Sequence, residues 1–303
     1  MPVVSEWACC SLDTSSVTFT QQLAVTFTPD LDAYFARLGD DGPREPDLAN
    51  LNRIAGAHVR SIPFENLDVL LGKGISLAPE DVERKLVHAG RGGYCFEQNG
   101  LMLNVLTALG YDVTPMSARV RIGQAREVTP ARTHLFLRVE LEGRSRLVDV
   151  GVGSMSLTSS IELVLDEPQE TPHETRRIVA TGDWDGLERR SPNARLYHQV
   201  RYGDTWEDVC DFTLEEMHPI DRELGNWYTS AHPQSHFGSR LVVARATETG
   251  RVNLLNWELK RRDPNGEATT RTLESEEERL AVLRDEFDLD FPAETRFSLF
   301  GEG

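Results

Sequence analysis

Arg91-Gly92-Gly93-Tyr94-Cys95-Phe96-Glu97-Gln98-Asn99-Gly100 sets a cysteine between a short Gly-Gly-Tyr turn and a helical pattern. Gly92 and Gly93 permit a sharp turn or a close approach of the backbone to a neighbour. Leu101, Met102, Val105, Leu106 and Leu109 then repeat at helical spacing, and Gly110 is a C-terminal stop. Cys95 is therefore expected in the first turn of a buried helix. Free N–H groups and the helix dipole favour an anion there, which stabilises a thiolate.

Two later residues complete a candidate site. Thr133-His134 opens an apolar strand pattern that runs to Leu141. A Glu142-Gly143 turn signal follows, and 144–152 reads as the returning strand. Asp149, after Leu147-Val148, is out of place in such a strand unless it has a partner. A cysteine, a histidine and an aspartate in this order suggest nucleophile, base and orienting carboxylate. Each has an ordinary alternative: a buried small hydrophobe, a satisfied core histidine and a strand-end turn residue. Order alone does not decide between them.

The totals bound the possibilities. The 303 residues suffice for two or three lobes, and 39% hydrophobic content suits a soluble globular chain with a real core. A net charge of −17 argues against nucleic acid and against anionic membranes as partners. Cys9, Cys10, Cys95 and Cys210 form neither a disulfide framework nor a Cys-x-x-Cys metal pattern. His198, His218, His232 and His236 do not make a metal set either, so no metal is expected. These features, with no apolar run of membrane length and no basic, apolar leader, fit a reduced cytoplasmic setting.

Taken in order, residues 1–29 read as an N-terminal extension, more a tail than an added strand. Asp30 and Asp47 are placed to cap two helices. Leu77 to His88 reads as a third helix, with Pro79 near its start and cations towards its end. A helical lobe over 30–110 follows, in which buried Glu65 needs a partner; Arg91 is proposed, clipping the loop before Cys95 to this lobe. From 111 the pattern turns to strands: 113–122, the hairpin already described, 177–181, 194–202 and 205–213. Several short strands in succession suggest a small barrel or curled sheet over 111–213. The acidic stretch 163–176 reads as a loop with a solvated His173. Over 214–303, helix and strand mix: a helix at 219–230 in which Trp227 and Tyr228 read as packing residues, strands at 241–245 and 252–259, and a charged helix at 275–287 with Ser275 suited to its N-terminus.

Three segments resemble the signatures of the arylamine N-acetyltransferases: Arg91 to Asn99, Thr133-His134, and Val148-Asp149-Val150-Gly151-Val152-Gly153. His134 follows Cys95 by 39 residues and Asp149 follows His134 by 15, which also matches the family. Ile62-Pro63-Phe64-Glu65-Asn66-Leu67 and Asn226 to Phe237 resemble two further segments. The resemblance runs from about Asp30 to near the C-terminus. It implies an α+β fold with an N-terminal helical lobe, a central β-barrel-like lobe and a C-terminal α/β lid around a cysteine-protease-like triad core. It implies a Cys95, His134, Asp149 triad, with Phe64 and Phe237 facing the cleft. It implies acetyl-CoA as acyl donor and an arylamine or hydrazine as acceptor, through an acyl-cysteine and ping-pong kinetics. One position departs from the pattern: Val152 stands where the family commonly has phenylalanine, which leaves a wider, less aromatic pocket. Two other readings share the triad. One is a macrolactam-forming amide synthase of the same family; the other is a cysteine hydrolase that passes the acyl group to water.

Overall fold

The computed structural model describes residues 27–263 and 266–298. The expectation for residues 1–26 lies outside them. Helices dominate up to residue 108: Leu31–Leu38, Leu48–Ser61, Leu67–Leu70, Pro79–Glu83 and Cys95–Ala108. The Asp30 carboxylate accepts the Ala33 N–H and the Asp47 carboxylate accepts the Asn50 N–H, so both caps form. The expected third helix is interrupted. Arg84–His88 continues Pro79–Glu83 as a π-turn, which widens the coil and re-aims its side chains.

The strand-rich centre is an eight-stranded antiparallel sheet. Its order is Ile161–Glu162, Arg144–Val148, His134–Leu141, Asp112–Val120, Thr205–Glu216, Arg195–Tyr202, Thr175–Thr181 and Gln169–Glu170. Ile161 at one edge and Ile178 near the other share one apolar core with Met116, Phe136, Leu196 and Phe212. The sheet therefore curls into a near-barrel. The opposite faces of Leu137, Val139 and Val148 pack on Leu51, Ile54, Leu101 and Val105 of the helices. This seam places the Cys95 helix beside the His134 strand.

The C-terminal part carries a five-stranded antiparallel sheet: Phe64–Glu65, Val242–Ala246, Arg251–Leu255, Glu258–Arg262 and Ala268–Thr272. Glu276–Phe287 packs against it through Val282, Leu283 and Phe287. The architecture is α+β. Three expectations need correction. Residues 252–259 are not one strand but a hairpin that turns at Asn256, whose φ is +53°. His173 is buried, with Nε2 2.8 Å from the Thr247 carbonyl oxygen. Trp227 is not packed: it is 58% exposed, as are its helical neighbours Ile220 and Leu224 to a similar degree.

Candidate active site

The loop before Cys95 is held by backbone rather than by a tight turn. Glu65 N–H donates to the Gly93 carbonyl at 3.0 Å, and Phe64 bridges Gly93. A Cβ on Gly92 would lie 2.1 Å from the Pro63 carbonyl oxygen, so only glycine fits this approach. Arg91 Nη2 sits 2.6 Å from Glu65 Oε1, and the Leu67 N–H donates to Glu65 Oε2 at 2.7 Å. Deeper in, the Gln98 amide donates to the Pro63 carbonyl and its oxygen takes the His58 Nε2–H at 2.6 Å. The Tyr34 hydroxyl donates to His58 Nδ1 at 2.9 Å. Burial pulls the pKa of His58 down to about 4, so this imidazole is a neutral structural link.

Cys95 is the first residue of the helix Cys95–Ala108 and is 5% exposed. Its Sγ lies 3.5 Å from the carbonyl oxygen of Thr133, the residue directly before His134, and Cys95 is among the groups that raise the pKa of the His134 imidazole. His134 opens its strand, and its Nε2 is 2.7 Å from Asp149 Oδ2. Nε2 is thus committed to the carboxylate, and Nδ1 is the ring nitrogen left for sulfur. Burial pulls the imidazole's pKa down, but the charge and hydrogen bond of Asp149, with Cys95, outweigh it and raise it to about 10. Burial pushes the Asp149 carboxyl up, yet His134, Asn99 and the Gly151 N–H hold it below the usual range. Both shifts favour the charged form of the pair.

Asn99 is a site residue that the apolar-pattern reading passed over. Its Nδ2 donates to Asp149 Oδ1 at 3.0 Å and to the Leu135 carbonyl at 2.6 Å, and its Oδ1 accepts the Val150 N–H. The signal for it was a polar residue one turn after Cys95 on the same helix face. Gly151 is fixed by space: a Cβ there would stand 2.9 Å from the Cys95 Cα.

Phe64 and Phe237 come together with ring centroids 6.0 Å apart, and Tyr94 meets Phe237 edge-on at 5.7 Å. All three share an apolar cluster with Cys95. Val152 packs with Met155, Val200 and Val209 of the near-barrel, and in sequence it lies between Gly151, which abuts Cys95, and Gly153, which abuts Phe64. A cavity of about 450 Å³ opens at Thr133, and none of Cys95, His134 and Asp149 lines it. Thr133, Met217, Leu224 and Tyr228 line it, and Met217 belongs to the same cluster as Cys95. Among the described residues no group of acids, histidines and cysteines could hold a metal, and no helix is long and apolar enough to cross a membrane.

A helix-borne cysteine facing a strand-borne histidine–aspartate pair defines the class of cysteine-dependent acyl-group chemistry. A family model described as N-acetyltransferase matches residues 47–296. The chain is 44% identical to the arylamine N-acetyltransferase of Mycolicibacterium smegmatis over 74% of this chain and 79% of that protein. It is 36% identical to that of Escherichia coli strain K12 over 86% and 89%. A solved structure of Mycobacterium marinum arylamine N-acetyltransferase in complex with CoA aligns with TM-score 0.78 and 34% identity, covering 86% of this chain and 92% of that one. The chain belongs to the arylamine N-acetyltransferase family and is an acyltransferase.

Proposed function

We propose that this enzyme transfers an acetyl group from acetyl-CoA to an arylamine or hydrazine through S-acetyl-Cys95. The carrying observation is the juxtaposition of Cys95 at a helix N-terminus with His134, itself clamped by Asp149. In the reaction the Cys95 thiol passes its proton to His134 Nδ1, which leaves a thiolate. That thiolate attacks the thioester carbonyl carbon, and the tetrahedral oxyanion sits near the Cys95 and Phe96 N–H groups, since those of Glu97 and Gln98 already donate to the Tyr94 carbonyl. The C–S bond to coenzyme A breaks, and its sulfur takes the proton from His134. The amine nitrogen then attacks the acetyl-cysteine carbonyl and gives its proton to His134, and Cys95 leaves as thiolate. Asp149 keeps Nε2 as donor throughout, so proton traffic runs through Nδ1.

Phe64, Phe237 and Tyr94 form an aromatic wall beside the sulfur, which suits a flat aromatic acceptor. Val152, next to Gly151 and Gly153, is the further residue whose size would set the width of the acceptor pocket beside the Phe64–Phe237 pair. The four chain regions act as an N-terminal extension (1–29), the lobe with the nucleophile (30–110), the lobe with base and acid (111–213) and a lid (214–303).

The test is intact mass after brief exposure to acetyl-CoA without amine. The wild type is expected to gain one acetyl group that an arylamine or hydrazine discharges, while Cys95→Ala gains none. A folded wild type that never labels would overturn the reading and favour the amide synthase. An adduct lost to water before any amine is added would make the enzyme a hydrolase.

A further inference from the structure

Asn66 is buried and directly precedes the helix Leu67–Leu70, where an asparagine ordinarily caps its own helix. It makes no such cap. Glu65 takes the Leu67 N–H instead, and the Asn66 side chain reaches residues 171–176 positions further along the chain. Its Nδ2 donates to the Phe237 carbonyl at 2.8 Å and to the Arg240 carbonyl at 2.7 Å. Its Oδ1 accepts the Val242 N–H at 2.9 Å. Two carbonyls on one side and an N–H on the other fix which way the amide faces.

These three bonds bear on the aromatic wall. Phe64 stands two residues before Asn66 in the same segment. The strand register pairs Phe64 with Ala244 and Glu65 with Val243, so Val242 is next, and there the Asn66 side chain takes over from the backbone ladder. Phe237 rides on the short helix His236–Ser239 just before that strand. Its other ties stay on the C-terminal side of the cleft. Ser235 Oγ accepts the Phe237 N–H at 3.2 Å and donates to the Thr229 carbonyl at 2.5 Å, while the Leu241 N–H goes to Asn256. Among the described residues, the hydrogen bonds that join 236–242 to the lobe of Phe64 all end on Asn66. The Phe64 and Phe237 centroids are 6.0 Å apart. A third ring does not fit between them, because each stacked contact needs about 3.5–4.0 Å. The pair therefore presents one continuous face, and a shift of Phe237 breaks it.

We propose that Asn66 is a positioning residue that locks Phe237 beside Phe64, so that the wall stays continuous and favours a flat acceptor over a compact one. This rests on the reading of Cys95 as acetyl carrier and of the wall as the acceptor's contact. Asn66 touches no reacting atom; it acts through the Phe237 backbone.

The experiment discharges the acetyl-enzyme with aniline or with unsubstituted hydrazine and follows the loss of the adduct by intact mass. The acetyl group is loaded from acetyl-CoA and, in parallel, from 4-nitrophenyl acetate. The quantity read is the ratio of the aniline rate to the hydrazine rate, in which the intrinsic reactivities of the two amines cancel between variants. Asn66→Asp keeps an oxygen for the Val242 N–H but turns a second oxygen towards the two carbonyls. Its ratio is expected to fall about 3- to 10-fold, the worth of one aromatic contact. Phe237→Leu is expected to lower the ratio too, and adding Asn66→Asp to it is expected to lower it no further, because the two act as one unit. A merely structural role slows both amines alike and leaves the ratio in place, which overturns the proposal. An equal fall in both backgrounds also overturns it, since Asn66 then acts elsewhere. Should Asn66→Asp fail to fold, Asn66→Ser, whose hydroxyl is too short to hold all three groups, carries the same test. An unchanged ratio in Phe237→Leu overturns the proposal without either. If the wild type loads from 4-nitrophenyl acetate but never from acetyl-CoA, the proposed function fails and the ratios still decide for Asn66. If it loads from neither, both fall.

Discussion

Asn99 is one helical turn beyond Cys95, and it satisfies three buried groups at once: the Asp149 carboxylate, the Leu135 carbonyl and the Val150 N–H. It touches no reacting atom, yet it fixes where Asp149 stands, and Asp149 fixes the His134 ring. Asn99→Ala leaves these groups without that partner, and each unsatisfied buried polar group costs about 1–3 kcal/mol. The variant is expected to lose about 2–4 kcal/mol in urea unfolding. Its single-turnover acylation by acetyl-CoA is expected to slow about 10- to 100-fold, since small misplacements of a base carry that scale of penalty. Unchanged acylation in a folded variant would show that Asp149 needs no such support. Cys95, His134 and Asp149 were each legible as candidates because each breaks its local pattern: a thiol at a helix start, a histidine opening an apolar strand, an acid closing one. Asn99 was not, because a helix face read for its apolar repeat treats polar positions as solvent.

The Cys95 helix is held differently at its two glycines. Gly92 precedes it with its Cα against the Pro63 carbonyl, whereas a Cβ on Gly100, inside it, would meet nothing within 4 Å. Gly92→Ala is therefore expected to destabilise by about 3 kcal/mol, because the clash is with backbone that cannot rotate away. Gly100→Ala is expected to stabilise by about 0.5–1 kcal/mol through helix propensity. Paired urea melts of the two variants check this; equal effects would mean the loop is free of Pro63. The elements read well where both partners were near in sequence. The Leu141–Arg144 hairpin and the caps at Asp30, Asp47 and Ser275 needed only local chemistry. Phe64–Glu65 was not read as a strand because its partner is Val243-Ala244, far along the chain. The turn at Asn256 was hidden for another reason: Leu254, Leu255 and Trp257 around it are apolar, so the run looked unbroken.

Across the whole molecule, one buried carboxylate ties the near-barrel to the C-terminal sheet. Glu174 Oε2 lies 2.9 Å from Arg176 Nη2 on the near-barrel and 2.8 Å from Arg251 Nη2 on the C-terminal sheet. The two arginines also donate to the carbonyls of Met155 and Ser156, in the loop that descends from Asp149. The reading of 163–176 as an acidic surface loop missed this, because nothing local distinguishes an acid with a distant arginine from a solvated one. Burial pushes the Glu174 carboxyl up, but Arg251 and Arg176 outweigh it and hold the pKa near 2. A carboxyl depressed in the folded state contributes stability above its unfolded pKa, and that contribution is lost as pH falls through the folded one. For a shift from 4.5 to about 2 the contribution is about 3 kcal/mol. Glu174→Gln leaves two buried guanidinium groups short of charge and is expected to cost about 3–5 kcal/mol at pH 7. At pH 3 the wild type has already lost much of the Glu174 contribution, so the gap between the two proteins should shrink by about 2 kcal/mol. Urea unfolding of both at the two pH values measures it. A gap that stays constant would mean that Glu174 is not the group whose protonation loosens the near-barrel from the sheet beside it.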